Sequence, residues 1–266
     1  MWFCHVKKIT LTIDNTSLGC VRFGTGEKNL IMLPGLSFQK VQEAAFALAY
    51  MYRVFAGEYT VYVLDKRADI PEGYTIRDMA DDAARAMEQL HLDRAHVFGI
   101  SQGGMIAQYL AINYPHLVQK LVLGVTTSRS NEVVERVIQD WIRMAKADAY
   151  GAIVTDMFEK MYSAAYMKKY RWLFPVLRKI VRSKDLGRFT VLARTCLTCN
   201  SYPELHKITC PVLVIGGWKD KVVTGQASRE IAEVLGCEIY MYDDLGHAAY
   251  EEVPDYNERI LRFLRG

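Results

Sequence analysis

The sequence predicts an α/β protein: an eight-stranded, mostly parallel sheet flanked by helices, with a helical insertion late in the chain. Three observations predict it. Short apolar runs alternate with helical patterns along most of the 266 residues. The later runs are near-continuously aliphatic, as strands buried on both faces should be. The alternation then stops over one long stretch and resumes after it. Hydrophobic residues make up 51% and charged residues 24% of the chain, which excludes a disordered or fibrous protein.

The expected strands are Lys8–Ile13, Gly19–Phe23, Leu30–Leu33, Tyr59–Leu64, Ala95–Phe98, Lys120–Gly124, Val212–Ile215 and Glu238–Tyr242, the first two as a hairpin. Among the helices, one is expected from about Gln39 to Ala56, stopped by Gly57 as a C-cap. Thr75-Ile76-Arg77-Asp78 fits a capping box, after which Met79, Ala83, Met87 and Leu90 follow at helical spacing. The helix opening at Gln102 should end near Tyr114-Pro115, because proline disfavours helix in the residue before it. A last amphipathic helix spans Pro254 to Leu264.

From 129 to 205 the pattern reads as helix throughout, rich in Trp141, Met157, Phe158, Met161, Tyr162, Tyr166, Met167, Tyr170, Trp172 and Phe174. The expected division is a core of 1–128 and 206–266 and an inserted helical cap of 129–205.

Net charge is +3, too mild for a nucleic-acid partner. It is unevenly spread: 13 Lys/Arg against 7 Asp/Glu lie between Arg129 and Arg188, a local +6. No apolar run reaches the roughly 20 residues of a membrane span. With no basic-then-apolar leader visible, a cytoplasmic protein with reduced thiols is the expectation for its six cysteines. Cys196-x-x-Cys199 lacks a second ligand pair, so no metal is expected.

Gly99-Ile100-Ser101-Gln102-Gly103 follows a strand and opens a helix, the context in which G-x-S-x-G marks a nucleophile on a sharp turn. A serine needs an adjacent base, itself oriented by an acid. His247, after the last strand, is the base expected; His5, His91, His96, His116 and His206 read as ordinary surface histidines. Asp220 is the preferred acid because Ser101, Asp220 and His247 then each follow a different strand, with Asp243 and Asp244 as alternatives.

On these residues the chain resembles the α/β-hydrolase fold superfamily over nearly its whole length. Leu30–Ser37 is similar to that family's strand and oxyanion loop, with Pro34 where a histidine is usual. The resemblance implies an oxyanion hole formed by the backbone amides of Leu36 and Gln102 and a helical cap over the site. Asp65-Lys66-Arg67-Ala68-Asp69-Ile70-Pro71 departs from the family's Asp-Arg-Gly-x-Gly-x-Ser-like loop and is read as structural. Ser37, Tyr162, Tyr166 and Trp218 are the expected substrate contacts. The expectation is a cofactor-free serine hydrolase for a small acyl substrate, of the carboxylesterase kind. Acyl transfer, lactone opening, carbon–carbon hydrolysis and a ligand-binding protein on the same frame are the alternatives. A homodimer joined through the cap is a further possibility the sequence leaves open.

Overall fold

A computed structural model describes residues 5–170, 172 and 185–266. Eight strands form one sheet: β1 (Lys7–Ile13), β2 (Thr16–Phe23), β3 (Lys28–Leu33), β4 (Tyr59–Arg67), β5 (Ala95–Ile100), β6 (Val118–Gly124), β7 (Val212–Gly217) and β8 (Glu238–Tyr242). Their spatial order is β1-β2-β4-β3-β5-β6-β7-β8. β2 pairs antiparallel with both β1 and β4, and every pair from β4 across to β8 is parallel. All eight expected strands are present.

The helices are α1 (Ala45–Met51), α2 (Ile76–Gln89), α3 (Gln102–Asn113), α4 (Glu132–Lys146), α5 (Tyr150–Met161), α6 (Ala164–Tyr170), α7 (Leu186–Leu197), α8 (Gly225–Leu235), α9 (Ala249–Glu252) and α10 (Asp255–Arg265). Side chains alternate across the pleated sheet and so feed two cores. Ile31, Leu33, Val97 and Val214 pack with α2, α3, α4 and α7 on one face. Leu30, Met32, Phe98 and Ile215 pack with α1 and α10 on the other. β5 and β7 are buried along their whole length: β7 is aliphatic up to its closing glycines, while β5 also carries His96 and Phe98.

Thr75 closes a capping box with Asp78 at the start of α2, and α3 ends at Asn113 as its proline signal requires. Two expectations need correction. The helix expected from Gln39 to Ala56 is only α1 followed by a short 3₁₀ turn at Arg53–Phe55. The approach to α1 is built of tight turns, Glu43 N to Lys40 O at 3.0 Å and Ala44 N to Val41 O at 3.2 Å, and the Val41 amide donates to the Asp65 carboxylate at 3.0 Å. His96, expected at the surface, is buried on β5 edge-on to Tyr59, and burial pushes its imidazole down to about 4.

Between β6 and β7 the described residues form helices α4 to α7, tied at their base by an antiparallel bridge between Arg129 and Asn200. Residues 171 and 173–184, among them Phe174, lie outside the described set. No helix among the described residues is long and apolar enough to cross a membrane. Parallel pairing brings the carboxyl ends of β3, β5, β7 and β8 to one edge, the place where open α/β sheets hold ligands.

Candidate active site

Ser101 stands between β5 and α3 with φ 55° and ψ −120°, outside the regions an L-residue prefers. Such backbone costs about 1–3 kcal/mol and persists only where the surroundings enforce it. Here they do. The Ser101 amide donates to Gly124 O at 2.9 Å, and its carbonyl accepts from the Gly104 amide at 2.8 Å and the Thr126 hydroxyl at 2.7 Å. The turn also needs its flanking glycines. A Cβ on Gly103 would stand 1.8 Å from Leu33 O, and one on Gly99 2.3 Å from Gly103 O.

The strained turn points the Ser101 hydroxyl at His247, Oγ to Nε2 at 2.9 Å. His247 Nδ1 lies 2.8 Å from Asp220 Oδ2. An ionised carboxylate only accepts, so Nδ1 carries the proton and Nε2 is left as the acceptor for the serine hydroxyl. The other carboxylate oxygen of Asp220 accepts the Val222 and Val223 amides at 2.7 and 3.0 Å, which fixes the carboxylate plane. The Asp220 and His247 side chains are 2% and 4% exposed, so water cannot compete for these bonds. The histidine loop is pinned by Lys219 N to Leu245 O at 3.0 Å and Ala248 N to Met161 O at 2.8 Å. Asp243 and Asp244, the alternative acids, are exposed, and Asp244 is paired with Lys219.

Gln102 supplies the first amide of α3, which has no carbonyl a turn earlier to bond and sits at the positive end of the helix. The Gln102 side chain is 1% exposed and donates through Nε2 to Leu192 O at 2.7 Å and Thr195 Oγ1 at 3.1 Å, tying the turn to α7. Leu36 follows β3 in a loop whose Gly35 comes close enough that an added Cβ would lie 3.2 Å from Ser101 Cβ.

A cavity of about 60 Å³ opens on this group, lined by Gly35, Leu36, Ser101, Met105, Val134, Ile138, Trp141, Met157, Met161, Cys196, Val222, Val223, His247 and Tyr250. No Lys, Arg, Asp or Glu is among these described lining residues. The one indole N–H, of Trp141, is taken up by Asp156 at 2.6 Å. Burial holds the Cys196 thiol up at about 11, in its protonated form.

The four expected substrate contacts do not line this cavity. Ser37 is exposed, accepts from the Gln39 amide and borders an adjoining cavity of about 80 Å³. Trp218 is 41% exposed. Phe158, Tyr162, Tyr166 and Tyr170 stack in a column with ring centres 5.3, 4.6 and 4.5 Å apart, and the Tyr162 hydroxyl donates to Glu251. The column runs from Phe158 on α5 through Tyr162 to Tyr166 and Tyr170 on α6, so these rings meet one another rather than the cavity. Three contributors were missed in the sequence: Thr126 behind the serine, the Gln102 side chain, and Lys66.

The sequence profile of the alpha/beta hydrolase fold family matches residues 64–254. The chain belongs to the α/β-hydrolase family. It is 30% identical over 207 residues to the Mycobacterium tuberculosis protein named Putative non-heme bromoperoxidase BpoC, with 73% of this chain and 76% of that one covered. It is 24% identical over 233 residues to 3-oxoadipate enol-lactonase 2 of Acinetobacter baylyi, covering 82% and 81%. The α/β-hydrolase MGS-M2 from a deep-sea metagenome superposes with a TM-score of 0.85 at 20% identity, over 97% of this chain and 98% of that one. One of these relatives is named a bromoperoxidase and another an enol-lactonase, so membership fixes the fold and leaves the substrate to the site.

Proposed function

We propose that this protein is a serine hydrolase that cleaves a small, uncharged ester or related acyl bond through an acyl-enzyme. The observation that carries the reading is the unbroken line Ser101 Oγ to His247 Nε2 at 2.9 Å and His247 Nδ1 to Asp220 Oδ2 at 2.8 Å, on a strained turn facing an apolar cavity.

In this reading Ser101 Oγ attacks the substrate carbonyl carbon while His247 Nε2 takes its proton. The carbonyl electrons move to the oxygen, which the amides of Leu36 and Gln102 receive. Each such donor is worth about 3 kcal/mol in the transition state. The tetrahedral adduct expels the alcohol, to which His247 returns the proton, and leaves an acyl-serine. A water, deprotonated by the same imidazole, attacks that ester and frees the acid and Ser101. Asp220 holds the imidazole tautomer throughout. The described residues of the 129–205 stretch act as the helical cap of this site, contributing Val134, Ile138, Trp141, Met157 and Met161 to the acyl wall. Lactone opening is the same chemistry on a cyclic ester, and the enol-lactonase relative gives it specific support.

The cavity bounds the substrate. At about 10–15 Å³ per water-sized group, 60 Å³ accommodates about four to six such groups, the size of a short acyl chain such as butyryl. With p-nitrophenyl esters from C2 to C12, kcat/KM is expected to peak at C2–C4 and fall at least tenfold by C8. A succinyl half-ester is expected to be at least a hundredfold poorer than butyrate, since burying its carboxylate unpaired in this cavity is costly. A peak at C8–C12, or preference for the charged ester, would contradict this assignment of the cavity.

A further inference from the structure

A loop that must present an amide to a developing oxyanion needs something to hold it, and Pro34 can neither donate a backbone hydrogen bond nor act through a polar side chain. The structure offers a different holder. β3 and β4 run parallel with Met32 opposite Val63, so three residues further on Gly35 comes level with Lys66. Lys66, only 7% exposed, donates from Nζ to Pro34 O at 2.7 Å and to Gly35 O at 2.8 Å.

We infer that Lys66 is the positioning residue of the oxyanion loop: by gripping the Gly35 carbonyl it aims the Leu36 amide. The step from one group to the other is covalent geometry. Gly35 C=O and Leu36 N–H belong to one planar trans peptide unit and point in opposite directions. Fixing the oxygen on the Lys66 side therefore fixes the N–H on the other, where Leu36 lines the cavity with Ser101. The second bond, to Pro34 O, prevents rotation of the neighbouring peptide.

The lysine is itself held. Asp65 Oδ1 accepts the Lys66 amide at 2.7 Å, while Asp65 Oδ2 accepts the Val41 amide at 3.0 Å. From α7, Arg188 Nη2 donates to Lys66 O at 3.1 Å and lies 3.4 Å from Asp65 Oδ1. Burial pulls the Lys66 ammonium down to about 8, with Asp65 opposing, Arg188 reinforcing and Cys196 opposing. An amine and an ammonium both keep two N–H donors, so the grip on two carbonyls needs neither state in particular.

This inference rests on the hydrolase reading, and its test separates the two. In Lys66→Met, kcat for p-nitrophenyl butyrate, counted per fluorophosphonate-titrated site, is expected to fall 10- to 100-fold with KM changed less than threefold. An amide that acts only on the transition state affects kcat in that way, whereas partial unfolding lowers only the number of titrated sites. Hydrogen exchange at Leu36 is expected to quicken at least tenfold. A kcat per site within twofold of the parent, or unchanged exchange at Leu36, would overturn the inference. Should Lys66→Met not fold, Lys66→Gln is judged by the same numbers. A parent that neither turns over esters nor takes up the fluorophosphonate would sink the hydrolase reading, and the exchange rate at Leu36 would still decide the role of Lys66.

Discussion

Replacing Ser101 by alanine is expected to lower ester turnover by about 10⁶-fold, to the level left by binding and the oxyanion amides alone. The size follows from the role: without Oγ there is no acyl-enzyme, and His247 has no hydroxyl to activate. The fold is expected to survive, because the bonds that hold the turn run through the Ser101 backbone to Gly124, Gly104 and Thr126, while Oγ meets His247. Steady-state kinetics beside a thermal melt checks both halves. A variant that keeps a hundredth of the parent's kcat would mean that another group carries the chemistry.

Asp220→Asn is expected to cost about 10⁴ in kcat with little change in stability. Its amide oxygen still accepts the Val222 and Val223 amides now bound by Oδ1, so the loop stays in place. That leaves the NH₂ group facing His247 Nδ1. Nδ1 must then accept, the proton moves to Nε2, and the ring presents a donor to Ser101 where a base is needed. Asp243→Asn and Asp244→Asn are expected to stay within twofold of the parent, since both residues are exposed and Asp244 is occupied by Lys219. Comparing kcat for the three variants tests the assignment of the acid. Full activity in Asp220→Asn would refute it.

Where the sequence was legible, the reason is local. The β strands announce themselves because burial on both faces demands aliphatic runs, and the serine turn does so because only glycine fits at positions 99 and 103. The boundaries of α2 and α3 follow from Thr75 and Pro115, each acting on its immediate neighbours. What was not legible depends on contacts between distant segments. Position after a separate strand favours Asp220 over Asp243 and Asp244 without deciding between them, and it is the contact with His247 and the burial of Asp220 that distinguish it. The Gln39–Ala56 stretch has a helical pattern, but it opens in tight turns beside a distant segment, where Asp65, 24 residues away, accepts the Val41 amide. Lys66 reads as a charged loop residue until the β3–β4 register lays the oxyanion loop beside it. Tyr162 and Tyr166 stack on one another although α5 ends at Met161 and Tyr166 belongs to α6, so their spacing in the sequence shows that they are neighbours, not which cavity they serve.

The most direct test of the account is covalent labelling. The folded protein is treated with a fluorophosphonate, and the adduct is located by peptide mass spectrometry. One adduct per chain is expected, on Ser101, absent from Ser101→Ala and strongly slowed in His247→Ala. An unlabelled parent, or an adduct on any other residue that persists in Ser101→Ala, would contradict an activated serine at this site.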